Sequence, residues 1–139
     1  MLSAVLCNAV CAKIGDPQPP EILIPEPASD LAARQLSDFV SLTVSQPQRN
    51  TNGSEATTLR RVEILRFDTE DSKAGGSLPQ DQFIKGAVRI FSIPASRFPE
   101  FLTNRVFAFR DGSLAENPSA YSRTFWYAAL FINPKNQSA

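Results

Sequence analysis

The side chains of this sequence that carry chemical potential are hydroxyls and cations on alternating runs rather than acid–base pairs. Along FVSLTVS, Val40, Leu42 and Val44 point one way while Ser41, Thr43 and Ser45 point the other, which gives an apolar face and a hydroxyl-rich face. Arg49 follows at the turn end of this run, and LRRVEILRF then brings Arg61. In QFIKGAVRIFS, Lys85 and Arg89 share a face, four residues apart. On adjacent strands, Ser41, Thr43, Ser45, Arg61, Lys85 and Arg89 would form a shallow platform. Hydroxyls and guanidinium groups suit phosphate and base-edge contacts, and a sheet can present them to unstacked bases. The plainer alternative is the ordinary solvent-facing side of an antiparallel sheet.

Catalysis finds little support. The chain has no His, so the commonest general base is missing. It has no G-x-S-x-G elbow, phosphate loop or dinucleotide fingerprint. Glu70-Asp71 falls in a polar stretch where neither rigid positioning nor a raised pKa is expected, and no Ser or Thr has an evident activating partner. The expectation is no enzymatic activity and no cofactor. Cys7 and Cys11 are the only cysteines, spaced C-x-x-x-C. A four-ligand zinc site there would need two carboxylates, an uncommon set. They read as half-buried thiols on an apolar strand, with an intersubunit disulfide as the alternative.

The elements that must position these groups fit one domain of 139 residues. Fourteen basic and fourteen acidic residues cancel, so bulk charge does not announce a nucleic-acid binder and any such role must be local. No apolar run approaches the length of a membrane span. The opening MLSAVLCNAVCAKIG lacks a basic start and reads as mature protein, a strand with helix left open. Pro17, Pro19, Pro20, Pro25 and Pro27 mark an irregular arm around a short edge strand over 21–24. Ser29-Asp30 reads as the cap of a helical turn reaching Leu36, or as a loop. Residues 39–67 read as a hairpin about Asn52-Gly53, and residues 68–82 as a long exposed loop. A strand follows over 83–92. Phe98, Phe101, Leu102, Val106 and Phe109 recur at helical steps up to Asp111-Gly112, and residues 119–132 read as a second helix, with strand as the alternative. The class is α+β, strands first and helices last.

The order of these motifs resembles coat proteins of single-stranded RNA bacteriophages of the levivirus type. LTVSQPQRN followed by a basic arm ending in VEI resembles that family's central hairpin. FIKGAVRIFSIPAS falls where the family has its last strand, RFPEFLTNRVFAFRDG at its first helix, and SLAENPSAY onward at its second. The resemblance spans residues 39–120. It implies a single coat domain over 1–139, with an N-terminal arm or hairpin over 1–35 and the sheet over 39–93, five-stranded and antiparallel. A helical dimerisation region over 96–132 would clasp a partner copy, using Phe101, Phe109, Phe125 and Trp126. It further implies an obligate homodimer that assembles into an icosahedral shell in the bacterial host cytoplasm. The sheet would face single-stranded genomic RNA inside the virion and bind one hairpin as a translational repressor; no membrane or small-molecule substrate is implied. On the family's RNA-facing side fall Thr43, Ser45, Arg61, Lys85 and Arg89, with Arg49 touching phosphate at the turn end. Loop 68–82 would gather at the shell's symmetry axes. Gly75-Gly76 would allow it more than one conformation, and no cysteine is present there to crosslink it. Leu59 and Glu63 share the face of Arg61. The alternative is a small β-rich binding module, lectin-like or periplasmic, without an RNA role.

Overall fold

Period-two alternation shapes most of this chain, and the fold follows from which alternating runs find each other. The computed structural model describes residues 15, 17, 19–70 and 77–139. It is α+β, with one antiparallel sheet of four strands, one of three, and a few short helices. The strands are β1 (Ala32–Leu36), β2 (Phe39–Ser45), β3 (Arg61–Thr69), β4 (Val88–Pro94), β5 (Leu102–Thr103), β6 (Val106–Asp111) and β7 (Thr124–Ile132). The helices are α1 (Gln80–Gly86), α2 (Phe98–Phe101) and α3 (Ser113–Glu116), with 3-10 turns at Ala95–Arg97 and Pro118–Ser122. The four-stranded sheet runs β1-β2-β6-β5 and the three-stranded sheet β4-β3-β7.

The apolar faces of the two sheets meet in one core. Val40, Leu42 and Val44 of β2 and Phe107 and Phe109 of β6 join Val62 and Ile64 of β3, Ile93 of β4, and Ala129 and Phe131 of β7. Ring contacts cross between the sheets, Phe107 to Phe131 at 6.1 Å and Phe91 to Phe109 at 5.4 Å. Each of the larger side chains contributes about 1.5–3 kcal/mol through burial, and the ring pairs add geometry that fixes how the sheets meet. One polar group also bridges them. Asp111 of β6, 5% exposed, accepts from Arg66 of β3 and from the Tyr127 hydroxyl of β7, each at 2.8 Å, and from Ser113. Burial pushes its carboxyl up, but the hydrogen bonds from Ser113, Arg66 and Tyr127 outweigh that and hold it below the ordinary aspartate range.

Several expectations from the sequence are corrected. Residues 39–67 are not a β-hairpin, because β2 pairs with β1 and β6 while β3 pairs with β4 and β7. Asn52-Gly53 does turn the chain, with Gly53 at φ +86°, but it closes the connection between the two sheets, where Arg49 bridges to Glu55. The expected single five-stranded sheet is thus two sheets. The expected dimerisation helices over 96–132 are largely strand. Proline in the first turn starts α2 after Arg97, yet the helix lasts only to Phe101 because Leu102 is already extended. The chain then reverses through Asn104-Arg105 into β6, whose alternate residues Phe107, Phe109 and Asp111 are buried. Residues 124–132 pair with β3 along its full length, from Arg61 opposite Ile132 to Thr69 opposite Thr124. Their β-branched and aromatic residues suit a pleated surface. The helical turn expected after Ser29 is instead β1, and residues 21–24 form no strand.

The strand expected over 83–92 starts only at Val88. Before it, α1 lies against β3 through Phe83 and Phe67, whose ring centroids are 6.4 Å apart. A Cβ at Gly86 would overlap the Phe67 ring, which explains a glycine at the end of this helix. Of loop 68–82, Asp68 and Thr69 complete β3 and residues 80–82 begin α1. The expected N-terminal strand, Cys7, Cys11 and Gly75-Gly76 lie outside the described residues.

Candidate nucleic-acid interface

The residues expected to form one platform lie on opposite sides of the molecule. Val40, Leu42 and Val44 face the core, so Ser41, Thr43 and Ser45 face outward from the four-stranded sheet. Val62 and Ile64 face the same core from the other sheet, so Arg61 and Glu63 face outward on the far side. Arg89 of β4 joins that far side by pairing with Glu63. Lys85 is on neither sheet. It sits in the last turn of α1, so its expected alignment with Arg89 along one strand is corrected.

On the four-stranded sheet, the register assembles residues that are far apart in sequence. Directly opposed residues of antiparallel strands project to the same face. Arg34 of β1 is opposite Ser41, and Ser41 is opposite Arg110 of β6. The next rows are Ala32, Thr43 and Ala108, then Ser45 and Val106. A hydroxyl flanked by two arginines therefore crosses the middle of the sheet, with a strip of small side chains beside it. The Arg110 guanidinium stacks over the Phe39 ring at 3.6 Å from its centroid. Among the described residues neither Arg34 nor Arg110 has a carboxylate partner within ion-pair distance. At the far end of β2, Asp30 accepts from the Ser45 amide at 3.0 Å. Hydrogen bonding to the Ser45 side chain and amide holds its carboxyl below the ordinary range.

The other outer face has cations too, but they are engaged. Arg61 Nε lies 2.8 Å and Arg89 Nη1 3.1 Å from Glu63 Oε1, and Arg61 also donates to Asn136. The Glu63 carboxylate is nearly buried beneath them, at 7% residue exposure. Much of the rest of this face is apolar, with exposed Ser92 opposite Glu63 and with Thr69 opposite Thr124 at one end. Leu65 and Phe67 of β3 stand opposite Ala128 and Trp126 of β7, and Leu130 stands opposite Glu63. The Trp126 indole N–H is buried with no acceptor among the described residues.

Arg49 belongs to neither face. It is exposed in the connection between β2 and β3 and borders a cleft shared with Ser45 and another shared with Arg105. Sequence reasoning therefore places Thr43, Ser45 and Arg49 on the side where free cations collect. It misses Arg34, Arg105 and Arg110, which the sequence pattern puts in helical segments. The signal that finds Arg110 is the period of VFAFRD, where Val106, Ala108 and Arg110 are exposed in turn. Arg34 has no such signal, because all five residues of β1 are exposed.

Chemically, the four-stranded face can donate to phosphate oxygens from two unneutralised guanidinium groups and from the Ser41 and Thr43 hydroxyls, while Asp30 engages Ser45 and Arg110 covers the Phe39 ring. Among the described residues no cluster of His, Cys, Asp and Glu is arranged to hold a metal, and no helix is long and apolar enough to cross a membrane. No protein-family model, curated protein or solved structure matches the chain.

Proposed function

We propose that this chain is a structural, RNA-binding coat protein of the single-stranded RNA bacteriophage kind, without catalytic activity, that self-associates into a virion shell in the bacterial cytoplasm. The observation that carries the RNA part is the row Arg34, Ser41 and Arg110 across one outer sheet face, with both arginines free of carboxylates among the described residues. Two exposed arginines on either side of Ser41, with no carboxylate of the described residues in ion-pair reach, favour a polyanion, and a flat sheet favours an unstacked strand over a duplex. The RNA face is therefore assigned to the four-stranded sheet. Arg61 and Arg89 are withdrawn from it, and Lys85 with them. The motif LTVSQPQRN, which carries the resemblance most specifically, lies on this sheet and its outgoing loop.

The assembly contact is assigned to the other sheet. β7 is a nine-residue, largely apolar strand at the edge of its sheet, with no partner on its outer side among the described residues. Its outward residues Ala128 and Leu130 continue onto Leu65, beside the part of the face that α1 covers through Phe67. Such an edge is an invitation to pair with a second chain. In this arrangement a sheet surface replaces the helix clasp expected from the sequence, and copies associate on one side while RNA binds on the other.

Purification from an expressing bacterium tests the reading. Megadalton particles that contain RNA, with a 260 nm absorbance lost after disassembly and nuclease treatment, are the expected result. A monodisperse monomer free of nucleic acid would overturn it and leave a small β-rich binding module.

A further inference from the structure

We infer that the cleft between Arg49 and Arg105 is a phosphate-binding site, separate from the sheet face, that grips the backbone of the RNA strand as it leaves the sheet. The inference rests on the RNA reading for the source of its phosphate. The cleft has a volume of about 450 Å³ and is bordered by Gln48, Arg49, Glu55, Thr57 and Arg105.

The first support is the backbone of Arg105. β5 and β6 are joined by a two-residue turn, Asn104-Arg105, with φ of +50° and +66°. Positive φ at both central residues defines the type I′ hairpin turn, for which Asn-Gly is the favoured pair. Asn tolerates the left-handed region well. A long side chain such as Arg does so at a steric cost, so the second position is one where glycine would fold better. The arginine is thus held in an unfavoured conformation by its surroundings. Its carbonyl accepts from the Gln46 amide at 2.8 Å, which ties the turn to the loop that carries Arg49.

The second support is electrostatic. The guanidinium groups of Arg49 and Arg105 are exposed, border one cleft, and make no ion pair or hydrogen bond with any described residue. Glu55 is the one carboxylate bordering the cleft among the described residues, and its side chain is likewise unengaged there. Two cations against one anion leave the cleft net positive. A phosphate between the arginines relieves their mutual repulsion and gains charge-assisted hydrogen bonds, with Thr57 and Gln48 as further donors.

The third support is continuity. Ser45, the last outward hydroxyl of β2, is opposite Val106, the residue after the turn. A separate cleft shared by Ser45 and Arg49 carries the Glu26 and Asp30 carboxylates, so the path to Arg49 runs by way of Val106 and Arg105 instead. From Ser41 in the arginine row to Ser45 is a path of about 13 Å along the strand. A polynucleotide lying along β2 therefore reaches Arg105 and Arg49 without leaving the surface.

The test is a titration of the purified chain with oligouridylate across a salt series, comparing wild type with Arg105→Gly, Arg49→Gln and Arg110→Ala. Removing one cation that neutralises a phosphate lowers the slope of log K against log salt by about 0.7. Arg105→Gly is expected to lower the slope by that amount while leaving the melting temperature equal or higher, since glycine suits the turn. Arg49→Gln is expected to lower the slope similarly. If both cleft variants keep the wild-type slope while Arg110→Ala lowers it, the cleft is wrong and the sheet reading stands. If wild type binds no RNA, the chain is not an RNA-binding coat protein, and inorganic pyrophosphate decides the cleft. A saturable rise in melting temperature that Arg105→Gly abolishes supports it, and no rise overturns it.

Discussion

The two outer sheet faces contain the same ingredients in different arrangements. Each has two arginines, Arg34 and Arg110 on one, Arg61 and Arg89 on the other. On the four-stranded sheet the residue between the arginines is Ser41. On the three-stranded sheet the corresponding group is Glu63, which takes both guanidinium groups onto one oxygen. Surroundings differ as well: the free pair has the row of Ala32, Thr43 and Ala108 on one side and Leu36 with Phe39 on the other, whereas Leu65, Ala128 and Leu130 border the paired one. Cations become available to an external polyanion only where no internal anion has claimed them. Where one has, a neutralised pair and an apolar surround make a surface suited to burial against protein.

The largest effect should come from breaking this difference where the cations are free. Arg34→Ala together with Arg110→Ala should lower affinity for oligouridylate by on the order of 10–100-fold at low salt and reduce the salt slope by about 1.4. Arg61→Ala together with Arg89→Ala should leave the slope near wild type. Filter binding at several salt concentrations reads both. Equal losses from the two pairs would show that the faces do not differ as their ion pairs say.

Much of the local structure is legible in the sequence because alternation needs no partner to be recognised. Val40, Leu42 and Val44 alternate as inward residues, and they are buried. Partner choice is not legible, and it decides the site. Nothing in residues 39–67 says that β2 turns to β6 rather than to β3, since that choice depends on the complementarity of Phe107 and Phe109, more than sixty positions downstream. Residues 98–109 satisfy two periods at once. Phe98, Phe101, Leu102 and Phe109 fit a helix, while Phe107 and Phe109 fit a strand, and tertiary packing selects the second. At 83–86 the mismatch runs the other way, because the alternation there is real but the segment meets β3 as a helix through Phe83. Glu63 does share the face of Arg61, as alternation predicts, and the ion pair is the physical content of that placement.

An intermediate effect is expected from converting one face toward the other. Glu63→Gln keeps the shape and an acceptor but removes the charge, so Arg61 and Arg89 gain one net positive charge between them. Affinity for RNA should rise by less than about tenfold, through weaker, salt-sensitive attraction. Stability should fall by roughly 1 kcal/mol, as charge-assisted bonds become neutral ones. A urea titration together with the same binding assay separates the two. A fall in RNA affinity would mean that Glu63 positions the arginines for RNA instead of withholding them.

The smallest effect concerns what keeps the faces apart. Tyr127 donates to Asp111 at 2.8 Å from the opposite sheet. Burial, then the hydrogen bond to Asp111 and the charge of Asp111, push the Tyr127 hydroxyl well above its ordinary value of 10.0. The folded state therefore holds this proton more tightly than the unfolded chain does. Its stabilisation is fully present below pH 10 and is lost as pH rises from there toward the folded-state value. Tyr127→Phe should lower stability by about 1 kcal/mol at pH 7, flatten the decline above about pH 10, and leave RNA affinity at pH 7 unchanged. The urea midpoint measured across that range reads the stability, and a wild-type decline that persists in the variant would place the alkaline sensitivity elsewhere. A change in RNA affinity would carry more weight, because it would mean that the bridge between the sheets also shapes the outer row of Arg34, Ser41 and Arg110, and that the two faces are not independent.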